Sequence, residues 1–246
     1  MTYLLPIFAF LLGSIPFGLF IARAHGVNIR EQGSGNIGAT NVLRTIGKKA
    51  GYSCLFLDLL KGFIPVLIAT NLFRWEGARD PQMHLAFLDG ARAFLSQFHA
   101  QLLHVICGLL AVLGHNYSPW IGFKGGKGIA TSGGVLLALA PAAVILLLLL
   151  WIVLFFATRY VSVASIGSAL ALPLITHWGA RFHHVDGDKS QPTLWEAGQW
   201  NKPLFFLTLI LALLAVWKHR ANIVKLINGT ENRFERKKKN PSAPTQ

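Results

Sequence analysis

The chain has 246 residues, 53% hydrophobic and only 13% charged, with a positive mean hydropathy and a net charge of +13. That composition excludes an ordinary soluble domain and implies one polytopic, all-α integral membrane domain. The basic residues are scattered among short inter-helix loops rather than along one polar face, which argues against a nucleic-acid partner.

A hydrocarbon core needs about 20 apolar residues per helical crossing. Apolar runs at 3–22, 52–73, 93–113, 129–157, 161–178 and 203–218 supply the candidate spans. The first lacks a basic leader and a small-residue cleavage site, so it is expected to remain as a permanent helix. Cys54 and Cys107 lie in separate apolar runs and are expected to pack rather than to form a disulfide or bind a metal. Asp58 and Lys61, three apart within one span, are expected to pair and so reduce the penalty of burying charge.

Between the first two spans lies GSGNIGATNVLRTIGKK, residues 33–49. Gly33, Gly35 and Gly38 match a G-x-G-x-x-G spacing, but no strand precedes them, and the dinucleotide reading fails on context. What survives is the physics of such a loop, whose glycines let backbone N–H groups approach an anion closely. Ser34, Asn36, Thr40 and Asn41 add short polar side chains, and Arg44 offers a bidentate clamp.

The loop at 114–131, GHNYSPWIGFKGGKGIAT, is the second basic and glycine-rich stretch. Gly128 follows Lys127 where a Walker A loop needs Ser or Thr, which excludes ATP hydrolysis by that motif. Lys124, Gly125, Gly126, Lys127 and Gly128 nevertheless feed a helix expected to begin near Ile129, so point charges, backbone donors and a helix N-terminus converge as an anion cradle. His115 and Thr131 flank it as further candidate ligands. Within 129–157, Pro141 is the expected break, leaving 129–140 as a short segment of about 18 Å, tolerable only if packed inside the protein.

The third loop, WKHRANIVKLINGTENRFERKKK at 217–239, places His219 and Asn222 three apart on one helical face, with Glu231 further along. After residue 232 the chain turns basic and then Pro/Ser-rich, so the expected division is a membrane domain at 1–232 and a disordered tail at 233–246. If the loops at 23–51 and 114–128, the Arg159 turn and everything after 217 are cytoplasmic, that side holds 17 of the 23 Lys and Arg, counting Lys61 with its neighbouring loop. The bias sets the N-terminus outside and the C-terminus in the cytoplasm. Parity then demands that 129–157 count as two segments, giving about seven.

These three loops, with LDLLKG at 57–62 and TRYVSVASI at 158–166, resemble the bacterial membrane acyl-phosphate glycerol-3-phosphate acyltransferase family, PlsY. The likeness covers nearly the whole chain apart from the loops at 74–92 and 179–202 and the tail. It implies a seven-helix membrane fold and transfer of a fatty acyl group from acyl phosphate to glycerol 3-phosphate, giving 1-acylglycerol 3-phosphate in phospholipid synthesis. It further implies an inner-membrane location and a functional link to the enzyme that makes acyl phosphate. By resemblance, Ser34, Asn36 and Arg44 belong to the first motif, the stretch around Lys127 to a phosphate-binding loop, and His219 and Asn222 to the third. Ser34, Arg44, Lys127, His219 and Asn222 are thus the expected catalytic set, with no cofactor and no metal. The H-x-x-x-x-D pairs His84/Asp89 and His183/Asp188 imitate another acyltransferase signature but fall on the outer loops.

An acyl phosphate is already activated, so holding two phosphate-bearing substrates and orienting a hydroxyl would suffice. The proton acceptor is either His219 or a substrate phosphate oxygen. A transporter of a phosphorylated metabolite is the alternative, but it needs its anion-binding groups near the membrane midplane, whereas these lie at one interface.

Overall fold

The computed structural model describes residues 3–74, 83–182 and 202–234. Helices α1 (Leu4–Ser14) and α2 (Phe17–Ala24) are two halves of the first apolar run, which the sequence suggested was continuous. Pro16 has no N–H to continue the ladder and disfavours helical geometry at the residue before it, so Ile15 is extended. The Ile15 carbonyl at the break accepts a bond from Lys61 Nζ at 2.8 Å.

After the first glycine-rich loop come α3 (Ala39–Thr45) and α4 (Lys48–Leu72). The expected pair forms on α4: Lys61 Nζ lies 2.8 Å from Asp58 Oδ1, and both side chains are buried. A two-residue parallel pairing of β1 (Phe73–Arg74) with β2 (Ala93–Phe94) closes the far end of α4 and leads into α5 (Gln97–Asn116). That bridge and the 3-10 turns at Ala86–Ala91 and Pro119–Ile121 interrupt described residues that are otherwise mostly α-helical. His84 and Asp89 meet there at 2.9 Å beside Arg92, at the end of α4 and α5 opposite the glycine loops.

The run at 129–157 divides as expected: α6 (Ile129–Leu139) stops at Ala140, and Pro141 opens α7 (Pro141–Thr158). Proline suits a first helical turn, where its missing N–H costs nothing. Helix α6 rises only about 17 Å, and it packs directly on α4. A Cβ at Gly62 would lie 2.1 Å from the Thr131 carbonyl oxygen, and one at Gly134 would lie 2.0 Å from that of Leu59. Small residues let two membrane helices approach to backbone contact, so α6 is sheltered by protein. Helix α7 is the opposite case, burying only Ala143 and presenting an outer face of Leu, Ile and Phe. That is the face lipid tails would cover.

Helices α8 (Val161–Phe182), α9 (Lys202–Lys218) and α10 (Arg220–Ile227) complete the chain, with a 53° bend between the last two. By length and composition Leu4–Ala24, Lys48–Leu72, Gln97–Ile121 and Pro141–Thr158 can each cross a membrane, the bent pair can form another span, and α6 and α8 supply shorter apolar helices. The main core joins side chains of α1, α4, α5, α6, α8 and α9, including Val66, Cys107, Val135 and Leu211. A smaller core of Leu19, Ile29, Ile37, Val42 and Cys54 lies beneath the first loop. Both cysteines are buried and unpaired.

Candidate functional site

The first loop is organised from inside by Asn41, which is buried. Its Oδ1 accepts the Ser34 N–H at 2.9 Å, and its Nδ2 is shared among the carbonyls of Ile29, Gln32 and Asn36 at 3.3, 3.0 and 2.9 Å. Asn36 Oδ1 accepts the Gly38 N–H at 2.8 Å. Both asparagine side-chain oxygens therefore shape the loop, and the Asn41 Nδ2 donors are taken up by loop carbonyls as well, which makes Asn41 a support of the loop rather than the expected ligand. Gly33 and Gly35 take positive φ, and a Cβ at Gly33 would strike Asn41 Oδ1. Ser34 and Thr40 are half-buried, and Arg44 projects from α3.

The second loop departs from the expected open cradle. The Gly125 and Gly126 N–H groups donate to the carbonyls of Asn116 and His115 at 3.2 and 3.0 Å, satisfying the end of α5. The donors that the loop leaves over are Lys127 Nζ and the first turn of α6, whose N–H groups have no partner within the helix. Gly128 caps that helix with φ +82°, a conformation that suits glycine. His115 is buried under the loop, where a Cβ on Gly126 would lie 2.1 Å from its Nε2. Its Nδ1 faces Asp58 Oδ1 at 3.7 Å. Thr131 is likewise fully buried against Gly62. Both act as supports behind the loop, not as ligands in front of it.

The third loop meets Lys127. Lys127 Nζ donates to Asn222 Oδ1 at 2.5 Å, and Asn222 Nδ2 donates to Glu231 Oε1 at 2.7 Å. The same carboxylate oxygen accepts from Ser162 Oγ at 3.0 Å. An ionised Glu231 cannot donate to a phosphate; through Oε1 it orients Asn222, and it balances the local positive charge. Arg44 Nη2 donates to the Asn232 carbonyl at 3.1 Å, and its guanidinium stands 4.4 Å above the Phe234 ring. The Phe234 N–H in turn donates to the Arg159 carbonyl at 3.0 Å, which ties this loop to the turn between α7 and α8. Ser162, at the start of α8, is the residue that sequence reasoning missed; its motif was visible, but nothing local links it to Glu231.

Electrostatics follow from this packing. Burial lowers the Lys127 pKa to about 8; Glu231 opposes the shift, and Arg44, Lys225 and Lys218 add to it. Burial and then Lys127 push His219 down to about 4, so it is neutral at pH 7. His219 Nδ1 lies 2.7 Å from the Ala215 carbonyl. A carbonyl can only accept, so the proton sits on Nδ1 and Nε2 keeps its lone pair. Arg44 is also lowered by burial, with Glu231 opposing, but an arginine remains charged.

The fold and this site define a multi-pass helical membrane protein with basic and polar side chains from three loops gathered at one end of the bundle. A family model described as glycerol-3-phosphate acyltransferase matches residues 3–229. The glycerol-3-phosphate acyltransferase of Geobacter sulfurreducens is 40% identical over 228 residues, covering 92% of this chain and 94% of its own. That of Aquifex aeolicus is 39% identical over 230 residues, covering 94% and 97%. Among solved structures, PlsY, an integral membrane glycerol 3-phosphate acyltransferase, matches in its glycerol 3-phosphate form with a TM-score of 0.72 at 37% identity, covering 95% of this chain and 96% of that one. Its lysophosphatidic acid form matches with a TM-score of 0.70 at 36% identity, covering 95% of each. The chain belongs to the glycerol-3-phosphate acyltransferase family.

Proposed function

We propose that this acyltransferase moves a fatty acyl group from acyl phosphate to the 1-hydroxyl of glycerol 3-phosphate, releasing 1-acylglycerol 3-phosphate and inorganic phosphate. The observation that carries the reading is the meeting of Lys127, Arg44, Asn222 and His219, from three separate loops, at one end of the bundle. The solved relatives, in their glycerol 3-phosphate and lysophosphatidic acid forms, support the acceptor and the product.

In the reaction, the acceptor hydroxyl oxygen bonds to the acyl carbonyl carbon, and the bond from that carbon to the phosphate oxygen breaks. Lys127 and the first turn of α6 stabilise the oxyanion and the departing phosphate, each such donor contributing about 3 to 4 kcal/mol. The hydroxyl proton goes to His219 Nε2 or to a substrate phosphate oxygen. A phosphate arriving beside Lys127 offsets the positive charge that holds His219 down, so the histidine becomes a stronger base as substrate binds.

The bacterial inner membrane is the proposed location, with the site on the cytoplasmic side, the N-terminus outside and seven crossings. The Lys and Arg bias supports that orientation. The enzyme that makes acyl phosphate is the proposed upstream partner. Purified protein supplied with labelled glycerol 3-phosphate should use acyl phosphate without ATP or added metal, and inorganic phosphate should inhibit. Equal use of acyl-CoA or acyl-carrier protein would overturn the donor assignment, because neither thioester places a phosphate beside the reacting carbonyl.

A further inference from the structure

The Lys127 cluster leaves part of the basic chemistry at this end unused. A cavity of about 370 Å³ opens between the first loop, the glycine loop and the bend between α9 and α10. Arg30, Lys124, Lys218 and Arg220 line it, and among the described residues no carboxylate does. Three of these cations are held in place. Arg30 Nη2 donates to the Lys124 carbonyl at 3.2 Å and reaches that of Ile121 at 3.5 Å. Lys218 Nζ donates to the Asn116 carbonyl at 2.9 Å and lies 4.7 Å from the Tyr117 ring centroid. Arg220 Nη1 donates to the Trp217 carbonyl at 3.2 Å, with its guanidinium 4.7 Å over the indole.

Four like charges around an open volume, three of them held in place, repel one another, and an anion between them relieves that repulsion. Lys127, Arg44, Asn222, His219 and Glu231 do not line this cavity, although Gly35, Asn36 and Gly125 of the two glycine loops do. Trp217 and Phe123, which do, are 58% and 62% exposed. Aromatic rings gather at the headgroup level of a bilayer, and basic pockets between spanning helices take anionic headgroups. We propose that this cavity is a second anion site, outside the reacting cluster, that holds the phosphate of an anionic membrane lipid.

The test uses the purified full-length chain in detergent, offered phosphatidylglycerol and phosphatidylcholine at equal concentration, with retained lipid read by native mass spectrometry. The wild type should keep one phosphatidylglycerol in preference to phosphatidylcholine. Arg220→Gln should retain it about fivefold more weakly and Arg30→Gln/Arg220→Gln about thirtyfold more weakly. Both variants should still transfer acyl groups, which shows that they are folded. Competition by inorganic phosphate alone supports the phosphate chemistry and identifies the free ion as a rival source. Equal retention of the two lipids, unchanged retention in the double variant, or displacement by saturating glycerol 3-phosphate would each overturn the proposal, the last by assigning the cavity to the substrate.

Discussion

Lys127 is the residue on which the proposed chemistry turns, because it is the basic side chain that reaches from the glycine loop to Asn222. Lys127→Ala should lower turnover about 10²- to 10³-fold, with the protein still folded in the membrane, since an interfacial lysine contributes little to helix packing. Lys124→Ala should be milder, because Lys124 is exposed and lines the neighbouring cavity instead. Steady-state assays of the two variants check both expectations. The pH profile gives a further test. Lys127 must be protonated to stabilise negative charge, and its pKa is lowered to about 8, so kcat/KM should fall as pH rises through that value. His219, neutral above about 4, should add no limb between pH 5 and 8. In Lys127→Arg the alkaline limb should disappear from the range below pH 10, because arginine keeps its proton; a limb that stays near 8 would move the titration to another group.

At the level of elements, α4 carries the arrangement that binds the first span and the glycine loop together. Lys61 pairs with Asp58 and also caps the Ile15 carbonyl at the break between α1 and α2. Asp58 in turn faces His115, which underlies Gly126. Asp58→Leu would leave Lys61 charged and buried without its carboxylate, a loss of about 3 to 5 kcal/mol. Thermal unfolding in detergent should show a marked drop in Tm for this variant and partial recovery in Asp58→Leu/Lys61→Met. If the single variant unfolds like the wild type, the pair is not what holds these elements.

Across the whole molecule, the glycine loops, α3 and α10 lie at one end of the bundle, and the His84–Asp89 contact lies at the other. The proposed orientation puts the first end in the cytoplasm. Single cysteines introduced at positions 80 and 188, both outside the described residues, should label from outside intact cells, whereas one at position 159 should not. Labelling at 159 would remove the topology, because Arg159 is tied to the third loop through Phe234.

The sequence by itself determined what depends on neighbours along the chain. Hydropathy marked the helical runs, Pro141 the division of α6 from α7, three-residue spacing the Asp58–Lys61 pair, and residue type the two loops rich in glycine and the basic third loop. The family resemblance was legible for the same reason, since its motifs are short and contiguous. Tertiary structure decided which polar groups are free. Asn41 turned inward, and Asn36 lent its side-chain oxygen to Gly38, because the loop's own backbone needed acceptors and donors. Gly125 and Gly126 gave their N–H groups to the end of α5. Ser162 met a carboxylate 69 positions away. Hydrogen-bond partners set by long-range packing have no local signature, because a donor's availability depends on what the fold brings against it.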